Sequence, residues 1–121
     1  MDPHAEERRL RPDAIVVVFV TAPDLASGRE LARALVDARL AACVNVIPGV
    51  TSVYRWQGAV EESSEVLLVV KSVAARLGGL EARVRDLHPY SVPEFVVLDA
   101  AHVSAPYGDW LRAETADEVA P

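Results

Sequence analysis

The sequence has almost no cysteine and no long apolar run, and both deficits limit where the chain can work. Cys43 is the only cysteine among 121 residues, so no disulfide can form within the chain and nothing indicates an oxidising compartment. The first residues, MDPHAEERRLRPD, are charged and lack the apolar stretch of a secretory signal. The longest apolar run near them, IVVVFV, is far shorter than the ~20 residues of a transmembrane helix. We therefore expect a cytoplasmic protein with no membrane partner.

Positive charge is also scarce. The chain has 12 lysines and arginines against 18 acidic residues, which gives a net charge of −6. Nucleic-acid-binding proteins usually present a basic surface, because neutralising phosphates supplies much of their affinity, so we expect no nucleic-acid partner. The sequence has no glycine-rich phosphate loop, CxxC, HExxH or Ser/His/Asp arrangement. With no nucleophile placed beside a base, a binding protein is predicted rather than an enzyme.

The apolar pattern predicts six main elements and a short final helix. Ser27 and Glu30 have the spacing of a capping box at the start of the first helix. His88 precedes a proline and ends the second helix. Ser104 is the predicted cap of the last helix, with Pro106 in its first turn. The predicted elements are a strand at 15–21, a helix at about 28–41, strands at 43–57 and 60–71, a helix at about 73–87 and a strand at 94–100.

This order, β-α-β-β-α-β, predicts an α+β protein of the ferredoxin-like type. Such a fold is an antiparallel sheet with two helices on one face. The length fits a single domain, which we place at residues 14–115. Residues 1–13 are predicted to be a disordered tail because they are charged and have little apolar content. Residues 116–121 are predicted to be a loose C-terminal tail.

The two middle strands predict a long hairpin that does not stand alone. A strand near fifteen residues exceeds the usual three to ten or so, so its far end must extend past the two helices. Pro48-Gly49 lies inside the first of these strands, and proline within a sheet is found at an edge or a bulge. We predict a bulge that bends the strand. A protruding apolar hairpin needs cover, and a closed symmetric oligomer is the natural one.

Three segments carry a family resemblance: AACVNVIPGVTSVYRWQG, EESSEVLLVVK and HPYSVPEF. In this order and spacing the chain resembles the CutA family, the divalent-cation tolerance proteins, over roughly residues 15–112. The resemblance implies a small cytoplasmic homotrimer with a ferredoxin-like fold, similar in architecture to PII-type nitrogen-regulatory proteins. It also implies a link to tolerance of copper and other divalent cations, either Cu(II) or another ion, with no cofactor required for folding.

The resemblance further implies metal ligands at Cys43, His88 and Glu94. Copper-binding members of the family also use a cysteine in the first helix region, and here ASGRELARALVDARL has none. Each residue has a plainer alternative. Cys43 has apolar neighbours and fits a packed core, His88 complements the dipole at a helix C-terminus, and Glu94 lies at a strand end where solvation is usual.

A second group of residues predicts a small-molecule pocket between subunits. Tyr54 and Trp56 share one face of their strand, and Glu65 and Lys71 share one face of the next, because their spacings are even. Tyr90 follows His88 closely and can line the same cleft. An acid, a base and aromatic rings suggest an alternative function, a PII-like regulatory module that binds a small anionic metabolite. An aromatic patch at a subunit interface explains the same composition.

Overall fold

The computed structural model describes residues 10–117 and contains four strands and three α-helices. The elements, in chain order, are β1 (Ile15–Ala22), α1 (Leu25–Asp37), β2 (Cys43–Trp56), β3 (Ala59–Val73), α2 (Leu77–Leu87), β4 (Val96–Asp99) and α3 (Ala105–Glu114), with a 3₁₀ turn at Ala74–Arg76 before α2. The strands form one sheet in the order β2-β3-β1-β4, with every neighbouring pair antiparallel. The predicted ferredoxin-like fold is confirmed.

Alternation along the two central strands decides which face of the sheet carries the helices. Every second residue is buried from Val16 onward in β1 and from Val66 to Ser72 in β3, while the residues between them are partly exposed. Side chains on opposite faces of a strand alternate, so one face is fully covered and the other is not. The main core consists of Val16, Val18 and Val20 of β1, Val66, Leu68 and Val70 of β3, Leu31 and Leu35 of α1, Ala41, and Leu80 and Val84 of α2.

The first helix begins earlier than predicted, and its cap is a different residue. Asp24 is the N-cap, and its Oδ1 accepts a hydrogen bond from the backbone N–H of Ser27 at 2.7 Å. The predicted capping box at Ser27 and Glu30 is therefore wrong, because Ser27 already lies in the first helical turn. Asp24 follows Pro23, and an aspartate before the apolar periodicity is an equally good cap. The helix also ends earlier, at Asp37.

Glycines allow close packing at two helices. Gly28 is buried in α1, and a Cβ there would lie 3.3 Å from Cγ1 of Val66. In α2 a Cβ on Gly79 would lie 3.0 Å from Cδ2 of Leu40. Glycine weakens a helix, but Gly79 lets α2 approach Leu40 in the segment after α1. The end of α2 at Leu87, with His88 as C-cap, agrees with the prediction.

The predicted bulge at Pro48-Gly49 is present. Ile47 pairs with Leu67 and Val50 pairs with Glu65, so β2 has one more residue than β3 between these two pairs. Gly49 has φ 79°, a left-handed conformation that glycine adopts without steric cost. Because β2 is an edge strand, the proline removes no hydrogen bond from the sheet interior.

The last helix covers one end of the other face. Leu111 of α3 is fully buried and packs with Ile15 and Val73, a register pair at the end of β1 and β3. Ser104 is the N-cap as predicted, although its side chain makes no capping hydrogen bond, and a proline lies in the first turn. Among residues 10–117 no helix covers the rest of this face, and Val96 and Leu98 of β4 are exposed there.

The domain extends beyond the predicted boundary at residue 14. Leu10 packs on the main core, and the carbonyls of Pro12 and Asp13 accept hydrogen bonds from Ala75 N–H and Arg112 Nε. The predicted tail at 1–13 is therefore wrong for residues 10–13, since a hydrophobic anchor and backbone bonds hold them. The remainder of that tail, and most of the tail at 116–121, lie outside the described residues.

Within residues 10–117, no helix has both the length and the apolar character needed to cross a membrane.

Candidate functional site

A cavity of about 540 Å³ lies where the hairpin meets the loop that follows α2. This volume is within the range of small-molecule sites. It combines aromatic rings, hydroxyls and two carboxylates, and it has no lysine or arginine in its lining. The lining residues are Thr21, Tyr54, Trp56, Ser63, Glu65, Tyr90, Ser91, Val92, Pro93 and Glu94.

The bulge places the two β2 aromatics in this cavity. Before the bulge, odd-numbered residues of β2 face the same side as odd-numbered residues of β3, and Ile47 lies opposite Leu67. After it, even-numbered residues of β2 take that side, with Tyr54 opposite Glu61 and Trp56 opposite Ala59. A one-residue shift moves every following side chain to the other face. Without the bulge, the two aromatics would lie on the helix side, away from the Glu65 side chain.

The loop after α2 is fixed by His88. Its Nε2 lies 2.6 Å from the carbonyl oxygen of Thr21 in β1, and its Nδ1 accepts the backbone N–H of Tyr90 at 3.0 Å. Because Nδ1 accepts, the ring is neutral and carries its proton on Nε2, which donates to Thr21. The ring is buried and stacks obliquely on that of Tyr90 at 4.8 Å between centroids. His88 therefore holds Tyr90 over the sheet.

Tyr90 connects the loop to the hairpin through Glu65. Its hydroxyl donates to Oε2 of Glu65 at 3.0 Å. Burial, together with this hydrogen bond and the negative charge of Glu65, raises the pKa of Tyr90 to about 12. The phenol thus remains protonated at neutral pH and remains a donor to the carboxylate.

The second carboxylate, Glu94, lies just before β4 and shares the electrostatic environment of Glu65. Loss of solvent raises the pKa of Glu94 above its usual value, and the negative charge of Glu65 raises it further. Within residues 10–117 neither carboxylate forms an ion pair with a lysine, arginine or histidine. The cavity therefore has two acidic groups whose charge no basic residue in this part of the chain neutralises, and this favours a cationic ligand.

The three predicted metal ligands do not come together in one chain. Glu94 lines the cavity, and His88 lies beneath it with both ring nitrogens already hydrogen-bonded. Cys43 pairs with Lys71, four residues along β3 from the position opposite Thr21, which is ~13 Å along the strand. Among residues 10–117 no group of three histidine, cysteine or acidic side chains is arranged to hold a metal ion. Cys43 is a free thiol that is partly exposed, whereas full packing in the core would have buried it.

The structure brings together all the predicted pocket residues except the basic one, Lys71. Tyr54, Trp56, Glu65 and Tyr90 all line the cavity. Lys71 does not, because six residues separate it from Glu65 on the same strand, ~20 Å away. Its Nζ lies instead 5.8 Å from the ring centroid of Tyr107 in α3. The even spacing of Glu65 and Lys71 places them on the same face of the strand but does not bring them close together. With no basic residue in its lining, the cavity does not support binding of an anionic metabolite.

Sequence reasoning missed the remaining lining residues. Ser63 lies opposite Ser52 in the register, and its hydroxyl is 3.5 Å from that of Tyr54. Thr21 contributes from the end of β1, and the loop adds Ser91, Val92 and Pro93. The hairpin register was available as a signal for Ser63, once the position of the bulge was assigned. The contribution of Thr21 depends on where the loop crosses β1, which no local pattern indicates.

Comparison with known proteins agrees with this fold. The family model described as "CutA1 divalent ion tolerance protein" matches residues 16–114. The divalent-cation tolerance protein CutA of Thermus thermophilus is 52% identical over 99 residues, which cover 82% of this chain and 96% of that protein. Protein CutA of Homo sapiens is 43% identical over 104 residues, 86% of this chain and 58% of the human protein.

Solved structures give the same result. The divalent cation tolerance protein of Thermus thermophilus superposes with a TM-score of 0.83 at 50% identity and covers 84% of this chain and 99% of that one. CutA1 from Oryza sativa superposes with a TM-score of 0.84 at 37% identity, over 87% of this chain and 96% of its own. The similarity therefore extends over nearly the whole described domain.

Proposed function

The chain belongs to the CutA1 divalent ion tolerance protein family, and from that premise we propose that it is a homotrimeric cytoplasmic protein that binds divalent cations directly. The observation that carries the proposal is the pair of carboxylates, Glu65 and Glu94, in one cavity without a basic partner among the described residues. Loss of solvent, and then the negative charge of Glu65, raise the pKa of Glu94, and a bound cation would offset the repulsion between the two carboxylates.

The donor set determines which ions fit. Carboxylate and hydroxyl oxygens suit Mg²⁺, Ca²⁺ and Mn²⁺, whereas copper favours imidazole and thiolate. The cavity offers Glu65, Glu94 and Ser63, all oxygen donors. His88 binds a metal only by giving up one of its two hydrogen bonds. We therefore propose that oxygen-preferring divalent cations bind at the carboxylate pair and that copper binds at the partly exposed thiol of Cys43.

Exposed apolar surface supports the homotrimer. Residues 53–62 at the end of the hairpin are all exposed, and they include Val53 at 64% and Val60 at 66%. Val96 and Leu98 are exposed on the helix-free face. Burying such surface is favourable at about 25 cal/mol per Å², and a closed ring of copies covers it on every subunit.

Calorimetric titration of the full chain with Mn²⁺, Mg²⁺ and Cu²⁺ tests metal binding. We expect saturable Mn²⁺ binding that is lost in the double variant Glu65→Gln/Glu94→Gln and retained in Glu30→Gln, which removes a charge from an exposed position of α1 outside the cavity. Cu²⁺ binding is expected in the native protein and is expected to be lost in Cys43→Ala. Mn²⁺ affinity that is unchanged in the double variant would contradict the proposed site.

Light scattering tests the oligomer. We expect the mass of three chains, and a smaller mass for Val60→Glu, which places a charge on the exposed end of the hairpin. Ala82→Glu adds the same charge on an exposed position of α2 and is expected to leave the mass unchanged. A monomeric native protein, or equal behaviour of the two variants, rules out assembly through the hairpin. Cell fractionation checks the cytoplasmic location.

A further inference from the structure

The cavity is larger than the metal site proposed within it needs to be. A metal ion with its ligands needs far less than the 540 Å³ present, and small organic ligands occupy cavities of roughly 300–1,000 Å³. The described residues also provide no third acidic, histidine or cysteine ligand beside Glu65 and Glu94. The space therefore accommodates a ligand with a body as well as a charge.

Glu65 has one carboxylate oxygen that can accept a hydrogen bond from a ligand in the cavity. The residue is 9% exposed, and its Oε2 accepts the hydroxyl of Tyr90. Its other oxygen has no hydrogen-bond partner in residues 10–117. Every fully buried side-chain oxygen in that range does have a partner, so this oxygen is not fully buried. The free oxygen is thus accessible, and Glu65 is a cavity-lining residue. A buried carboxylate with one open acceptor favours a ligand that donates a hydrogen bond and carries positive charge.

Aromatic rings supply the remaining walls. Tyr54 and Trp56 come from β2, and Tyr90 comes from the loop on the other side. Aromatic faces attract cations, and tryptophan does so most strongly. Their carbon surface also covers an alkyl chain well. Metal ions gain little from such walls, whereas an organic cation uses both the charge of the carboxylates and the rings.

We infer that the cavity binds a small primary amine in its ammonium form, with the nitrogen at Glu65 and Glu94 and the alkyl part against Tyr54 and Trp56. An ammonium group has three N–H donors, which match the open oxygen of Glu65, the carboxylate of Glu94 and the hydroxyl of Ser63. This inference goes beyond the proposed metal binding, because it assigns a second class of cation to the same carboxylates.

The test is calorimetric titration of the native full-length oligomer with n-butylammonium at constant ionic strength. Two matched probes separate the contributions: n-butanol has the same shape without charge, and tetramethylammonium has the charge without N–H donors. We expect saturable binding of n-butylammonium in the millimolar range or tighter, and much weaker binding of both controls. Absence of saturable binding, or tetramethylammonium binding as tightly as n-butylammonium, overturns the inference.

Variants locate the site. Glu65→Gln keeps the shape and an acceptor for Tyr90 but removes the charge, and we expect about tenfold weaker binding or more, as for the loss of one charge-assisted hydrogen bond. Trp56→Leu lies at an exposed position and is expected to weaken binding less. Glu30→Gln removes the same charge at an exposed position of α1 outside the cavity and is expected to change little. Equal affinity of Glu65→Gln and native protein overturns the inference.

Titration of Mn²⁺ into the same samples separates this inference from the proposed function. If Mn²⁺ binds and n-butylammonium does not, the inference fails and metal binding stands. If n-butylammonium binds and Mn²⁺ does not, metal binding fails and the inference stands. If both bind, competition between them is expected, and independent binding overturns the shared site.

Discussion

The two halves of the β2–β3 hairpin share one ladder of paired strands but differ in what covers them. We call residues 43–47 and 67–71 the base half, and residues 50–56 and 59–65 the tip half. In the base half, Leu68 and Val70 are fully buried under α1 and α2. In the tip half, Val53 and Val60 are about two-thirds exposed. Both halves have strand-forming sequences, so the difference comes from where the helices end.

The difference also separates stability from binding. The base half contributes to the main core, whereas the tip half carries four of the cavity residues, Tyr54, Trp56, Ser63 and Glu65. Glu65 lies at the boundary, and the loop held by His88 reaches it through Tyr90. A surface that the chain's own helices leave uncovered is available for a ligand or a second copy.

The largest expected effect is in the base half. Leu68→Ala removes a fully buried side chain and is expected to lower the free energy of unfolding by about 2–5 kcal/mol. Val60→Ala, in the tip half, is expected to cost much less within one chain. Urea denaturation at two protein concentrations measures both. If Val60→Ala lowers the free energy of unfolding as much as Leu68→Ala does, the tip half is also buried in the native protein, by contact with other copies of the chain.

The next effect concerns the loop that joins the halves. His88→Ala removes the hydrogen bonds to Thr21 and Tyr90 and leaves partly buried groups unsatisfied, so we expect a loss of about 1–3 kcal/mol. The exposed His102→Ala is the control, with no comparable loss. The measurement is thermal unfolding of the metal-free protein. Unchanged stability of His88→Ala, combined with lost metal binding, would identify His88 as a ligand instead.

A smaller effect is expected at the junction itself. Gly49→Ala forces a side chain into a left-handed conformation, at a cost of about 1–2 kcal/mol, and no atom lies near enough to add a clash. Gly58→Ala in the hairpin turn has the same conformation and the same open surroundings. We expect similar losses of stability, but weaker n-butylammonium binding only for Gly49→Ala, because the bulge orients Tyr54 and Trp56. If both variants bind n-butylammonium equally well, the bulge does not determine the geometry of the site.

The smallest expected effect is the pH dependence of the cavity. The pKa of Glu94 is raised in the folded state, so its contribution to stability is present below the usual value and is lost as the pH rises through the raised one. Glutamine does not ionise, so the Glu94→Gln variant does not lose stability in this way as the pH rises. We therefore expect the stability of the variant relative to native protein to increase as the pH rises above about 4.5. Urea midpoints measured from mildly acidic to neutral pH check this, and a decreasing difference contradicts it.

Much of the fold was predictable because its signals are local. Alternation in β1 and β3, the proline after His88 and the proline-glycine pair at 48–49 each act within a few residues. Misassignment occurred where two local signals competed, as at the first helix, where Asp24 and Ser27 are both good caps. The backbone geometry selects Asp24, since Ser27 N–H is already one of the donors that needs a partner.

The candidate site was predictable in composition but not in arrangement. The sequence by itself determined the aromatic pair, the acids and the extra residue in β2 that brings Tyr54 and Trp56 to one side, because side-chain alternation is a property of the strand. The strand spacing already separates Lys71 from Glu65 by ~20 Å, whereas tertiary structure alone decided that Glu94 lies near Glu65. Distance along a strand grows with each residue, whereas a loop can return a distant residue to the same place, as His88 does here through its bond to Thr21.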